Sequence, residues 1–145
     1  MYKTIILAYD GSATGQQALL QSQQLAQWSH AKLWLVAVMP AISGFPSIDG
    51  GLYSPELAAE QTQRYERVLT GGLQHLSGGG FEARGEVLVG ETVHELSAFA
   101  RKVDADLIVV GHKHLDSWAA RWWAGSISGA LIEHAPCSVL CVITR

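Results

Sequence analysis

Apolar positions along this chain fall into two kinds of pattern. Short runs without polar alternation occupy Thr4–Tyr9, Lys32–Val38, Asp106–Val110 and Ser138–Ile143. Strands covered on both faces of a parallel sheet read this way. A fifth run, Glu82–Val89, mixes charge with apolar residues, as suits an outer strand. Between the runs, apolar residues recur at helical spacing. Ser12–Ser29 puts Ala18, Leu19, Ser22, Leu25 and Ala26 on one stripe, with Ser12 as N-cap. Ser54–Leu76 opens on Ser54-Pro55-Glu56, with proline at a favourable first helical position. Its stripe is Leu57, Tyr65, Val68, Leu69, Leu73 and Leu76, and Gly78-Gly79-Gly80 breaks it. Glu91–Val103 buries Val93, Leu96, Phe99, Ala100 and Val103. Ser126–His134 stops at Ala135-Pro136, because proline disfavours helix in the residue before it.

Strand and helix thus alternate five times and four, without internal repeat. This order predicts an α/β fold: an open five-stranded parallel sheet, right-handed crossovers and helices on both faces, in one domain over residues 1–145. Two connections, Met39–Tyr53 and Gly111–Gly125, are long for a compact domain. Both follow the carboxyl end of a strand, the edge where open α/β sheets bind ligands.

Composition narrows the function classes. With 48% hydrophobic and 16% charged residues, the chain is not a disordered one. A core of this size buries roughly 68% of the unfolded surface and needs no disulfide or metal. Ten Lys+Arg against a net charge of -3 leave no face basic enough for nucleic acid. Cys137 and Cys141 lie on one face of a strand, roughly 13 Å apart and beyond disulfide reach. That spacing suits a reduced, cytoplasmic setting. Ile5–Tyr9 is shorter than the roughly 7–15 apolar residues of a secretory segment. No window approaches the roughly 18 residues of a membrane span. The expectation is a soluble intracellular protein without a membrane partner.

Candidate chemistry gathers at two strand ends. Gly111 closes the fourth strand, where the missing side chain permits a sharp turn and close approach of a ligand. Gly125-Ser126 opens a helix, so free N–H groups and the Ser126 and Ser128 hydroxyls meet at its positive end and suit a phosphate. The alternative is a strand-end glycine and an ordinary serine cap. Asp10, in Tyr9-Asp10-Gly11-Ser12, can overlook the same crevice and bond a ribose, a base edge or magnesium. It can equally be part of an Asp-Gly turn. Trp118, Trp122 and Trp123 crowd one loop beside Arg121, as a contact surface or as satellite core. Trp28 and Trp34 are expected to pack.

Six histidines raise the question of a metal. No cysteine or acidic partner stands at zinc spacing to His112 and His114, and His30, His75 and His94 read as surface positions, so none is expected. There is no Gly-x-x-x-x-Gly-Lys-Ser/Thr loop and no Gly-x-Ser-x-Gly elbow. No dedicated enzyme is expected.

The chain resembles the universal stress protein family along its whole length. The features that carry the resemblance are Lys3 to Ser12, Val89-Gly90-Glu91, Ala105 to His112, Gly125-Ser126 and His134 to Val142. It implies a Rossmann-like, adenine nucleotide alpha-hydrolase-like fold, strand order 3-2-1-4-5 and a homodimer through Ser138–Ile143. Nucleotide-binding members carry glycine, two residues, glycine, nine residues, then glycine and Ser or Thr. Here Gly111 matches the first glycine and Gly125-Ser126 the last pair. His114 replaces the second glycine and the spacer, Leu115 to Ala124, is one residue longer. The resemblance implies ATP, with Mg through Asp10, as ligand. Adenine would lie against Ala8 and Val38, beside Tyr9, Asp10 and Val110, and the phosphates against Gly111, His114, Gly125, Ser126, Ile127 and Ser128. The implied function is a non-enzymatic stress-response sensor acting on an unidentified client protein. The alternatives are an interaction module without nucleotide and slow ATP hydrolysis assisted by Asp10.

Overall fold

Ile5, Ile6 and Leu7 are completely buried, which only a strand covered on both faces and both edges allows. They form the middle of β1 (Thr4–Ala8), the central strand of a five-stranded sheet. In this computed structural model, which describes residues 1–41, 55–113 and 126–144, β1 pairs on one side with β2 (Lys32–Met39) and on the other with β4 (Leu107–Lys113). The edges are β3 (Arg84–Val89) and β5 (Ser138–Thr144). All four pairings are parallel and the order is β3-β2-β1-β4-β5, as the resemblance implies.

The continuous apolar runs hide a two-residue alternation that divides the core. Ile5, Leu7, Leu33, Leu35, Leu107 and Val109 face α1 (Ala13–Ser29) and α2 (Pro55–Gly78). Ile6, Val36, Ile108 and Val110 face α3 (Thr92–Lys102) and α4 (Ser126–His134). Ser12 caps α1 as expected, its Oγ accepting from Gly15 N at 3.0 Å. Trp34 packs edge-on against Phe99, centroids 5.2 Å apart, with Arg84 over its ring.

Three details depart from the sequence reading. β4 runs on past Val110 to Lys113, and β5 on to Thr144. Beyond Val110 the sheet no longer involves β1, and only the β4–β5 pairing, Gly111↔Val142 to Lys113↔Thr144, holds these polar residues extended. Trp28 was expected to pack and is 74% exposed. The buried stripe of α1 runs through Ser22, Ala26 and Ser29, and Trp28 falls off it. Leu57, placed on the inner stripe of α2, is exposed. Among the described residues no helix is long and apolar enough to cross a membrane, and both cysteines are free.

Candidate functional site

Every strand of a parallel sheet ends at the same edge, and here β1 is the strand from which the chain moves first one way to β2 and later the other way to β4. A crevice opens at such a reversal point. Its floor is aliphatic: Ala8 at the tip of β1, Val36 and Val38 on β2, and Val110 on β4. Tyr65 of α2 stands on one side, with Thr92 and Leu96 of α3 and Ile127 of α4 on the other. The cleft measures about 220 Å³. A second cleft of about 280 Å³ adjoins it, sharing Ala8, Asp10 and Gly111, and adds Ser12, Thr14 and Gly15 from the start of α1.

Asp10 stands between the two. Its Oδ1 accepts from Ser12 N at 2.9 Å and from Ser12 Oγ at 2.6 Å, so the turn reading of this residue holds. The position overlooking the crevice holds as well, because Asp10 lines both clefts. The carboxylate sits over the first turn of α1 because Gly15 has no side chain; a Cβ there would come within 2.7 Å of Asp10 Oδ1. Gly111 is required for a similar reason, since its Cβ would lie 2.9 Å from Thr14 Cγ2. The missing side chain is thus occupied in part by α1 itself.

Tyr9 reaches the cleft, but its ring belongs to the core. The side chain is 4% exposed, packs on the α1–α2 face and accepts a hydrogen bond from Gln16 Nε2. Burial, and secondarily the charge of Asp10, pushes its phenol above its ordinary value. On the opposite wall Glu91 caps α3, its carboxylate accepting from His94 N at 2.8 Å and Val93 N at 3.0 Å. Those two bonds, His94 first, hold its pKa below the ordinary carboxyl value.

Ala8, Tyr9, Asp10, Val38, Val110, Gly111 and Ile127 therefore meet at one site. Ser126 begins α4, and Ser128 is half-buried in that helix. His114, Gly125 and the Trp118, Trp122 and Trp123 cluster lie outside the described residues. The sequence reading missed Val36, Tyr65, Thr92 and Leu96. Val36 was accessible, being two residues before Val38 and so on its face of β2. Tyr65 and Leu96 sat on stripes assigned wholly to packing.

Asp10 is the one carboxylate lining either cleft among the described residues, and those residues hold no group of three or more His, Cys, Asp or Glu fit for a metal. Chemically the pair of clefts offers an apolar slot with hydroxyls and a carboxylate at its rim. That combination receives a ligand with a flat apolar end and a polar end.

Residues 1–142 match the universal stress protein family. A universal stress protein of Synechocystis is 30% identical, over 97% of this chain and 97% of that protein. A solved universal stress protein family member from Burkholderia pseudomallei has 27% identity and a TM-score of 0.76, covering 97% of this chain and 96% of its own. A universal stress protein solved in complex with cAMP has 24% identity and a TM-score of 0.62, over 99% and 98% of the two chains. Others that share the fold hold dAMP or AMP. In sequence and in fold alike, this chain belongs to the universal stress protein family.

Proposed function

We propose that the protein is a non-enzymatic, adenine-nucleotide-binding sensor or regulator of a stress response, with ATP, magnesium-bound through Asp10, as its ligand. The observation that carries this reading is the cleft at the β1–β4 reversal, where Ala8, Val38 and Val110 make an apolar floor beside Asp10 and Gly111. The adenine end of the ligand occupies that floor. Its ribose lies toward Asp10, and its phosphates are assigned to His114, Gly125 and the Ser126–Ser128 start of α4. The complexes of structural neighbours with cAMP, dAMP and AMP support the same ligand class.

The working form we propose is a cytoplasmic homodimer joined through Ser138–Ile143, signalling to a client protein. The two sheet edges differ in a way that supports this. β3 carries Arg84 and Glu86, while β5 reads Ser-Val-Leu-Cys-Val-Ile-Thr without a charge. Charged edges resist strand pairing and uncharged ones invite it.

One sequence feature favours a second reading. His114 stands where the nucleotide-binding pattern has glycine, and the following spacer has an extra residue. A histidine that blocks the phosphates would leave an interaction module without nucleotide. Calorimetric titration with ATP and magnesium, followed by extraction of the same preparation, separates the two. Micromolar binding or a retained adenine nucleotide is expected. No heat and no nucleotide would overturn the sensor reading in favour of the interaction module.

A further inference from the structure

Helix α2 is seated unusually close to the strand tips. At Gly72 a Cβ would lie 2.6 Å from Leu35 Cδ2 and 2.7 Å from Tyr9 Cε1, so only glycine allows the helix to rest there. One turn earlier, Val68 lies over Gly11, whose own Cβ would come within 3.2 Å of it. Tyr65, Val68 and Gly72 follow one another at i, i+3 and i+7 on the same face of the helix. The tight seat at Gly72 therefore fixes where Tyr65 stands, half-buried at the mouth of the cleft.

The cleft it closes is aliphatic on its floor, with Ala8, Val36, Val38 and Val110, and among the described residues Tyr65 brings the one aromatic ring there that is not committed to the core. At about 220 Å³ the space falls below the roughly 300–1,000 Å³ of sites that enclose a whole drug-sized ligand. It takes one ring system and leaves the remainder of the ligand outside. A flat π-face opposite an aliphatic floor suits a base held between them.

We propose that Tyr65 is the base-stacking wall of this cleft and the residue that makes it selective for a nucleobase. This rests on the nucleotide reading above and adds to it a residue and a mode: recognition by stacking on a side chain of α2. The phenol hydroxyl is not needed for that role, whereas the ring is.

The test uses AMP, its fluorescent etheno-adenine analogue and ribose 5-phosphate on the full chain, with Tyr65→Phe, Tyr65→Leu and Tyr65→Ala, each checked by thermal unfolding. Stacking on an aromatic side chain is worth about 1–3 kcal/mol per base, so Leu and Ala should lose roughly ten-fold or more in AMP affinity. Phe should stay near wild type. Etheno-AMP should be quenched on binding wild type and Phe, and less so on binding Leu. Ribose 5-phosphate should bind all four alike. If wild type binds AMP and the Leu and Ala variants bind it equally well, the stacking role is overturned and the nucleotide reading survives. Equal losses for AMP and ribose 5-phosphate, with quenching unchanged, would reduce Tyr65 to a structural residue and also overturn the proposal. If wild type binds no nucleotide, the sensor reading falls and takes this inference with it.

Discussion

Two carboxylates at this sheet edge are each held by hydrogen bonds at the start of the helix that follows them, yet they differ in exposure to a ligand. Asp10 folds over Ser12 at the start of α1 and still lines both clefts. Glu91 spends both oxygens on Val93 and His94. Because those bonds favour the ionised form, the native chain takes up the Glu91 proton less readily than the unfolded chain does. The unfolded chain then binds more protons below the ordinary value of 4.5, so stability rises with pH there. The contribution is complete above that value and lost as pH falls through the lowered native one. Thermal unfolding between pH 3 and pH 5 should show a steeper loss in wild type than in Glu91→Gln, and equal slopes would contradict the assignment. A glutamate cap before a helix is unusual, and the sequence disclosed it only as part of Gly90-Glu91. The double role of Asp10 was visible as two competing readings, because one short side chain at a strand end can serve a turn and a crevice together.

The helices show where sequence periodicity stops being informative. Spacing placed α1 and α3 almost to the residue, since each has a continuous inner stripe and a capping side chain at its start. It placed α2 too, but gave no hint that Gly72 is its seat, because the meaning of a glycine inside a helix depends on what lies opposite. Gly71 and Gly72 make this testable as a pair. At Gly71 an added Cβ meets nothing within 4 Å, so Gly71→Ala should stabilise by up to about 1 kcal/mol through helix propensity. At Gly72 the same change presses on Leu35 and Tyr9, and overpacking of a core costs about 1–3 kcal/mol. Urea unfolding should move the two midpoints in opposite directions. The same blindness explains why Tyr65 escaped notice: a stripe residue reads as core until the cleft beside it is seen. β4 extends beyond its apolar run for a related reason, as its last residues are extended only by β5 alongside.

At the scale of the whole molecule, strand order followed from the family resemblance, while alternation of strands and helices gave only a parallel sheet. The asymmetric edges bear on assembly. Leu140 is 39% and Ile143 60% exposed on β5, an uncharged edge in the isolated chain. Leu140→Lys with Ile143→Lys should shift sedimentation from dimer to monomer while leaving the fold intact, since neither residue belongs to the buried core. A wild-type protein that sediments as a monomer would overturn the dimer outright.

The central place of β1 also has a meaning for how the chain is made. Its amino end is tied across the molecule: Lys3 N and Thr4 N donate to the Asp106 carboxylate at 2.8 and 3.0 Å. Its second neighbour begins only at Leu107, and the strand that covers that neighbour begins at Ser138 of 145 residues. A ribosome adding about 5–20 residues per second needs roughly 5–20 s to travel from β1 to β4. Throughout that time Ile5, Ile6 and Leu7 lack the β4 partner that completes their burial in the folded sheet. Slower translation lengthens the interval in proportion, and with it the time for which the growing chain depends on other proteins to keep those residues apart from its neighbours.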